Sequence, residues 1–386
     1  FSRVMHSIFG RLSQREYEIH QLAINYIGDP HPFNYKIYPA MVGGDVYGIK
    51  RLLALSAIKP DIIFILNDLW VFDEYLKAIK EHFNPIPKIV VYFPVDAENL
   101  DEKWFKHFDI VSQSVAYTDF GQKCVEAAKV DVNTRIITHG VDPNTFFKIP
   151  VNKKELKKAV YPDKEDFIDS FIVFNGGRNQ PRKRIDIAIA GFAEFAKDKP
   201  ANVKYYHHAG IMDAGWDIRR LVKYYGVDNR LILTNLKYGI QTITDEKLNL
   251  LYNATDVGLN TSLGEGFGLV SVEHAMTGAP QIVPNHSACK ELFFDCGVLV
   301  PANIKLSFEK TNTVGKLCLP EDIASGLELL YSNKEVYDNL SVAALKKFGG
   351  EEFSWDHIAD LWSELFRGVL DGNNNISEQY YRSNKR

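Results

Sequence analysis

The chain has 386 residues, of which 46% are hydrophobic and 24% charged, a balance typical of folded globular proteins rather than disordered ones. This length suits two α/β domains better than one core. The net charge of −4, without a long basic run, argues against nucleic acid as the main ligand, and no apolar run is long enough for a membrane-spanning helix.

The four cysteines lie apart from one another, with no Cys-x-x-Cys pair among them. This spacing predicts neither a disulfide framework nor a structural zinc site. It favours a reducing compartment, the cytoplasm. Peripheral contact with a membrane surface stays open.

The first half alternates helical patterns with short apolar runs, as in parallel sheets covered by helices. The first helix has Val4, Ile8 and Leu12 on one face, and residues 1–3 are interpreted as the end of a loop whose preceding strand is absent. Strands are predicted at 61–66, 88–93, 110–114 and 135–139, and helices at 45–58, 71–83 and 116–130.

A domain boundary is predicted at 144–153, because apolar periodicity stops there and restarts at Phe171. We expect an N-terminal Rossmann-like domain at 1–146 and a C-terminal one at 147–350. A helix at 351–372 and a polar tail at 373–386 complete the predicted organisation.

The second half repeats the alternation of strands and helices. A surface loop is predicted at 305–316, which is polar. Strands are predicted at 171–174, 203–207, 230–234, 257–260, 281–283 and 298–300, and helices from Ile185 and at 218–225, 245–253, 269–276, 321–331, 334–348 and 355–370.

The strongest functional signal is the segment 264–268, Gly-Glu-Gly-Phe-Gly, between a predicted strand and a predicted helix. Its glycines permit a tight turn, and the helix beginning near Gly268 presents unpaired N–H groups that favour anions. The carboxylates of Glu265 and Glu273 suit sugar hydroxyls better than phosphate. The pattern favours a ligand with both a phosphate and a polyol, although a glycine-rich turn with solvated glutamates would look the same.

A second signal is the segment 176–183, Gly-Gly-Arg-Asn-Gln-Pro-Arg-Lys, which follows a predicted buried strand. Arg178 and Lys183 would lie at the carboxyl end of that strand, where parallel α/β sheets bind ligands. There they could clamp a diphosphate by charge-assisted hydrogen bonds. The alternative is a solvated basic turn.

These two segments together resemble the family-4 retaining glycosyltransferases of the GT-B fold. Further similarity lies in His-Gly-Val-Asp at 139–142, where the family has Asn first, in Ala-Met-Thr-Gly-Ala-Pro at 275–280, and in Phe-Ser-Trp at 353–355. The resemblance covers nearly the whole chain. It implies two Rossmann-like α/β domains with parallel sheets facing a central cleft, and a C-terminal helix crossing back to the N-terminal domain.

The resemblance also implies residue roles. Arg178 and Lys183 would hold the donor diphosphate and neutralise it as it leaves, while Glu265 would grip the donor sugar. Glu273 would accept hydrogen bonds from the ribose. The remaining residues expected to contact the nucleotide sugar are Gly177, Asn235, Leu236, Gly266, Phe267, Gly268, Leu269 and Val270.

One departure from the family concerns a His usually found close to the reacting sugar. The corresponding residues here, 92–96, are Tyr-Phe-Pro-Val-Asp. Asp96 could take a polar role or cap the next helix, and both interpretations stay open. Without the His, transfer is less firmly implied than donor binding.

No metal or cofactor is expected. The chain lacks the Asp-x-Asp motif of metal-dependent glycosyltransferases. Adjacent His207 and His208 on a strand would point to opposite faces, so they could not hold one ion together. An NAD-dependent oxidoreductase is disfavoured, because Leu269 stands where Gly-x-Gly-x-x-Gly needs its last glycine.

The sequence therefore predicts transfer of a hexose from a nucleoside-diphosphate sugar to a hydroxyl of a glycan or lipid. Likeness to mannosyltransferases around 215–218, Gly-Trp-Asp-Ile, favours mannose from GDP-mannose. The alternatives are a non-catalytic nucleotide-sugar-binding protein and a nucleotide-sugar epimerase. The oligomeric state is not predicted.

Overall fold

The structure is a computed structural model that describes residues 1–41, 44–210, 213–234 and 243–372. Its contacts divide the chain into two units. Among the described residues, the first contains those in 1–95, 100–139 and 355–372, and the second contains those in 96–99 and 140–354. The predicted boundary at 146/147 therefore differs from the observed division. In the structure the chain passes from the first unit to the second after His139, and it passes back to the first unit after Ser354.

The first unit is built on a parallel sheet of four strands in the order β3-β4-β5-β6, beside a separate parallel pair, β1-β2. Its strand β4 is almost wholly buried, because it lies inside the sheet with packing on both faces. The elements in chain order are α1 (Ser2–Leu12), β1 (His20–Ala23), β2 (Lys36–Pro39), α2 (Ile49–Ala54), β3 (Ile62–Leu66), α3 (Phe72–His82), β4 (Lys88–Phe93), β5 (Gln113–Ala116), α4 (Asp119–Ala127) and β6 (Thr134–Ile136).

The second unit is built on a parallel sheet of six strands in the order β12-β11-β10-β7-β8-β9, with an antiparallel hairpin, β13-β14. Its elements in chain order are α5 (Lys153–Val160), β7 (Phe171–Asn175), α6 (Ile185–Ala196), β8 (Val203–His207), α7 (Ile218–Tyr224), β9 (Leu231–Leu233), α8 (Asp245–Ala254), β10 (Val257–Leu259), α9 (Leu269–Ala275), β11 (Gln281–Pro284), α10 (Ser287–Phe293), β12 (Val298–Val300), β13 (Ala302–Ser307), β14 (Val314–Cys318), α11 (Pro320–Ser332) and α12 (Lys334–Phe348). The order is that of a Rossmann sheet.

The last helix, α13 (Trp355–Leu370), belongs to the first unit and packs against α1. Its Trp362 is fully buried, with the ring centroid 4.7 Å from those of Phe64 on β3 and Tyr92 on β4. A row of apolar residues along the helix thus covers the sheet of the first unit.

Several elements differ from the sequence-based expectation. The region predicted as a loop at 305–316 lies mostly in the hairpin β13-β14. Its turn carries positive φ at Lys310 (70°) and Asn312 (56°) rather than at glycine, so the usual turn signal is missing. Residues 2 and 3, interpreted as loop, begin α1, and the polar stretch after Asn152 contains α5.

Candidate functional site

The point where strand order reverses in the second unit lies between β7 and β10. These two strands are direct neighbours, with Val257 opposite Val173 and Gly258 opposite Phe174. Crevices of Rossmann sheets bind ligands at this point, beyond the carboxyl ends of the strands. The two segments singled out from the sequence, 176–183 and 264–268, follow β7 and β10 respectively.

The structure brings these segments together. The Thr261 hydroxyl donates to the carbonyls of Lys183 (3.1 Å) and Arg184 (2.9 Å). The Leu263 N–H donates to the Arg182 carbonyl at 2.9 Å. Gly176 lies so close to Val270 on α9 that a Cβ atom at Gly176 would come within 2.7 Å of its side chain. The turn after β7 and the turn before α9 therefore form one surface.

Lys183 and Glu265 form a buried ion pair on this surface, with Lys183 Nζ 2.5 Å from Glu265 Oε1. Their side chains are 17% and 7% exposed. Burial lowers the pKa of Lys183, although Glu265 acts in the opposite direction. Burial alone would raise the pKa of Glu265, but Lys183 and Arg182 outweigh it and hold that pKa well below its usual range. Within the pair, each group favours the charged form of the other.

Neighbours of the ion pair fix Glu265 in place. Its Oε1 also accepts from the Ser262 hydroxyl (2.7 Å) and from Asn260 Nδ2 (3.1 Å). Its backbone N–H donates to the Ser287 hydroxyl at 2.9 Å. Sequence reasoning missed these partners, although Asn260 and Ser262 stand only a few residues before Glu265.

Arg178 is not part of this cluster. Its guanidinium pairs with Asp213, with Arg178 Nη2 3.1 Å from Asp213 Oδ2, and the side chain is 65% exposed. The second basic residue that meets Glu265, beside Lys183, is Arg182, whose Nη1 lies 3.2 Å from Glu265 Oε2. Of the two cations singled out from the sequence, the fold brings Lys183 to Glu265 and pairs Arg178 with Asp213.

The glycine-rich turn leads directly into α9. Gly268, with φ of 94°, occupies the left-handed region that favours glycine, and Leu269 begins the helix. Phe267 is buried, whereas Val270 is partly exposed at 37%. Gly266, directly before Phe267, lies in the same buried turn.

Glu273 lies on α9 with 4% exposure. Tyr252 on α8 donates its hydroxyl to Glu273 Oε2 at 3.3 Å. Gly177, at the other turn, donates its N–H to Asn175 Oδ1 at 2.9 Å. These two predicted residues thus have fixed positions, while Asn235 and Leu236 lie outside the described residues.

The adjacent histidines face different neighbours, as expected for a strand. The ring of His207 stacks with Tyr205 at 6.4 Å, and that of His208 lies 5.8 Å from Phe174. Within the described part of the chain, no three His, Cys, Asp or Glu side chains gather in a way that could hold a metal ion.

Comparison with solved structures defines the fold as GT-B, which confirms the predicted fold class. The chain is similar to sucrose-phosphate synthase from Thermosynechococcus elongatus, with a TM-score of 0.74, 16% identity, and 95% of this chain and 93% of that one covered. It is also similar to a glycosyltransferase from Rickettsia africae, with a TM-score of 0.70, 14% identity, and 95% and 94% covered. At such identities the likeness shows the fold alone.

A structure of Anabaena HepE in complex with UDP and glucose also has the same fold, with a TM-score of 0.65, 16% identity, and 87% of this chain and 86% of that one covered. Among curated proteins, the serotype-specific mannosyltransferase WbdA of Escherichia coli is 26% identical over 203 residues. That match spans 51% of this chain and only 22% of the relative. No protein-family model matches the chain.

None of the helices in the described ranges is both long and apolar enough to span a bilayer.

Proposed function

We propose that the protein is a glycosyltransferase that transfers a hexose from a nucleoside-diphosphate sugar to a hydroxyl group. The observation that carries the proposal is the buried pair of Lys183 and Glu265 at the switch point of a Rossmann sheet. A cation beside a carboxylate at this place matches a ligand that carries a diphosphate and a sugar.

The proposed mechanism rests on electrostatic stabilisation of the leaving diphosphate. Lys183 is largely buried and held by Glu265, so its ammonium needs little reorganisation as negative charge develops. Its ammonium has three donors, of which Glu265 takes one within the described residues, and the others are directed to the diphosphate. In the proposal Glu265 accepts from a sugar hydroxyl, Glu273 from the ribose, and Arg178 approaches the diphosphate from the exposed side.

The further details of the reaction are also part of the proposal. Transfer proceeds with retention at the anomeric carbon and without a metal, because Lys183 supplies the charge that a metal would otherwise supply. The test for retention is the anomeric configuration of the product by NMR. The test for metal independence is unchanged turnover in excess chelator.

GDP-mannose is the donor that we propose, with a glycan or lipid acceptor. The similarity to a mannosyltransferase over 203 residues supports mannose. UDP-glucose is the competing donor, since HepE was solved with UDP and glucose. The four cysteines are buried free thiols, which supports a reducing compartment, and we propose the cytoplasm.

The deciding experiment measures release of nucleoside diphosphate from GDP-mannose and UDP-glucose, with and without a pool of glycan and lipid acceptors. Lys183→Ala and Glu273→Ala are each expected to abolish acceptor-dependent release while the protein stays folded. Lys197→Ala and Glu194→Ala, at exposed positions of the same unit, are the matched controls. Normal turnover in either site variant would contradict the assignment.

The same experiment separates the alternatives. Tight nucleotide-sugar binding without release, with any acceptor, would indicate a binding protein. Conversion of the donor in the absence of acceptor would indicate an epimerase or a hydrolase.

A further inference from the structure

Arg182 connects three carbonyl or carboxylate groups at the edge of the site. Its Nη1 lies 3.2 Å from Glu265 Oε2 and also donates to the Gly264 carbonyl. Its Nε lies 3.1 Å from Asp96 Oδ2. The Arg182 side chain is 28% exposed, so part of this contact set is accessible to a ligand.

The two oxygens of Glu265 are used unequally. Oε1 accepts from three groups, those of Lys183, Ser262 and Asn260. Oε2 accepts, within the described residues, only from Arg182. A carboxylate oxygen offers about two lone-pair sites. Oε1 is therefore saturated, and Oε2 is the oxygen with capacity for a further donor such as a hydroxyl.

Asp96 lies beside Arg182 because residues 96–99 belong to the second unit and pack against its hairpin. Glu98 exchanges two backbone hydrogen bonds with Val314 of β14, at 2.9 and 2.8 Å, and its carboxylate pairs with Lys316 at 2.8 Å. Gly264 packs directly on the Asp96 carbonyl, which a Cβ atom there would approach to 1.6 Å. The hairpin thus fixes Asp96 beside Arg182.

We propose that Arg182, oriented by Asp96, is a positioning residue that presents Glu265 Oε2 to a hydroxyl of the donor sugar. The proposal rests on the proposed function and names the oxygen and the residue pair that act on the sugar. A guanidinium suits the task, because its planar fork reaches several acceptors at fixed angles, which an ammonium cannot do.

A binding comparison tests the proposal, with GDP and UDP as ligands without a sugar and GDP-mannose and UDP-glucose as ligands with one. Arg182→Met is expected to weaken binding of the nucleotide sugar by about 10-fold to 100-fold, and to leave binding of the matching nucleoside diphosphate within about 2-fold. Arg182→Lys is expected to recover part of the loss, because the charge remains while the fork geometry is lost. Arg219→Met, an exposed position of the same unit, is the control.

Asp96→Asn supplies an independent test through a double-mutant cycle. Alone it is expected to weaken nucleotide-sugar binding by about 3-fold to 10-fold, and in an Arg182→Met background it is expected to add nothing. Full additivity of the two changes would overturn the orienting role of Asp96.

Two other results would also decide the matter. Equal losses for nucleotide sugars and free nucleoside diphosphates would indicate a general structural role, and unchanged affinity in Arg182→Met would also overturn the proposal. A wild-type protein that binds none of the four ligands would overturn the proposed function itself, and this inference with it.

Discussion

Glu273 illustrates how a hydrogen bond from a neighbouring side chain can prepare a carboxylate for a ligand. The carboxylate is buried on α9, and the Tyr252 hydroxyl donates to its Oε2. A buried carboxylate left without donors is costly, so the phenol both stabilises the charge and fixes its direction. Tyr252 is itself buried against Phe174 and His274, which keeps the hydroxyl in place.

Removing that hydroxyl gives a prediction at the residue scale. Tyr252→Phe keeps the ring packing, and we expect it to weaken nucleoside-diphosphate binding by about 0.5–1.5 kcal/mol, roughly 2-fold to 12-fold. Isothermal titration with GDP and UDP measures the effect. Tyr224→Phe, at a position that is 80% exposed, is the control. Unchanged affinity would show that Tyr252 does not prepare Glu273 for a nucleotide.

The residues of the site were predictable to different degrees. Lys183 and Glu265 could be found because each stands in a short turn directly after a strand, at a spacing set by local chain geometry. The contact between Arg182 and Asp96 could not be found, because it joins residues 86 positions apart through a segment whose course depends on the hairpin. Nor does the local sequence indicate that Asp213 binds Arg178.

At the scale of the element, two lysines of α5 contact Asp256, Lys153 at 3.5 Å and the more deeply buried Lys157. Lys157 on this helix is 4% exposed, and its Nζ lies 2.8 Å from Asp256 Oδ2 beside β10. Asp256 Oδ2 also accepts from the backbone N–H of Ile172 on β7. Burial lowers the pKa of Lys157, although Asp256 acts in the opposite direction. The pair thus ties α5 to two central strands of the second unit.

We therefore predict that Lys157→Ala lowers the free energy of unfolding by about 1.5–3 kcal/mol, because Asp256 loses its nearest cation but keeps Lys153 at 3.5 Å. Lys158→Ala, the exposed neighbour on the same helix, is expected to stay within about 0.5 kcal/mol of the wild type. Urea denaturation of the three proteins measures both. Similar losses for the two variants would show that helix propensity, not the ion pair, matters at this place.

The elements also show where sequence patterns succeed. Strands such as β3, β4, β7 and β11 carry nearly continuous apolar runs, and most strands of the two large sheets were predicted within a few residues of their bounds. The pair β1-β2 was missed because its strands have four residues each and include His20, Gln21 and Lys36. The hairpin was missed because its turn lacks glycine, and α5 because its stretch is dominated by lysines.

At the scale of the whole molecule, both units bury histidines in neutral form. Burial lowers the pKa of His139 in the first unit well below its usual value. In the second unit it lowers the pKa of His207, His208 and His286 from 6.5 to about 4, and that of His274 to about 3. Neither ring nitrogen of His207 has a hydrogen-bond partner within the described part of the chain.

These values set the sign of the pH dependence. Between pH 6.5 and about 4 the unfolded chain binds a proton at each such histidine and the native protein does not. Stability therefore rises with pH across this window and is lost as the pH falls through it. From about pH 7 to about pH 5 the loss is on the order of 1–2 kcal/mol for each buried histidine, so both units are expected to be sensitive to acid.

We predict that His207→Leu makes the protein less sensitive to acid over that window. Leucine fills a similar volume and has no group that titrates. The slope of the unfolding free energy against pH should therefore fall by the contribution of the one proton that the unfolded chain binds at His207 and the native protein does not. His82→Gln, at an exposed position at the end of α3, is the control. Chemical denaturation at several pH values measures the three slopes. An equal slope in the wild type and His207→Leu would mean that His207 is already protonated in the native protein, which its burial inside the six-stranded sheet argues against.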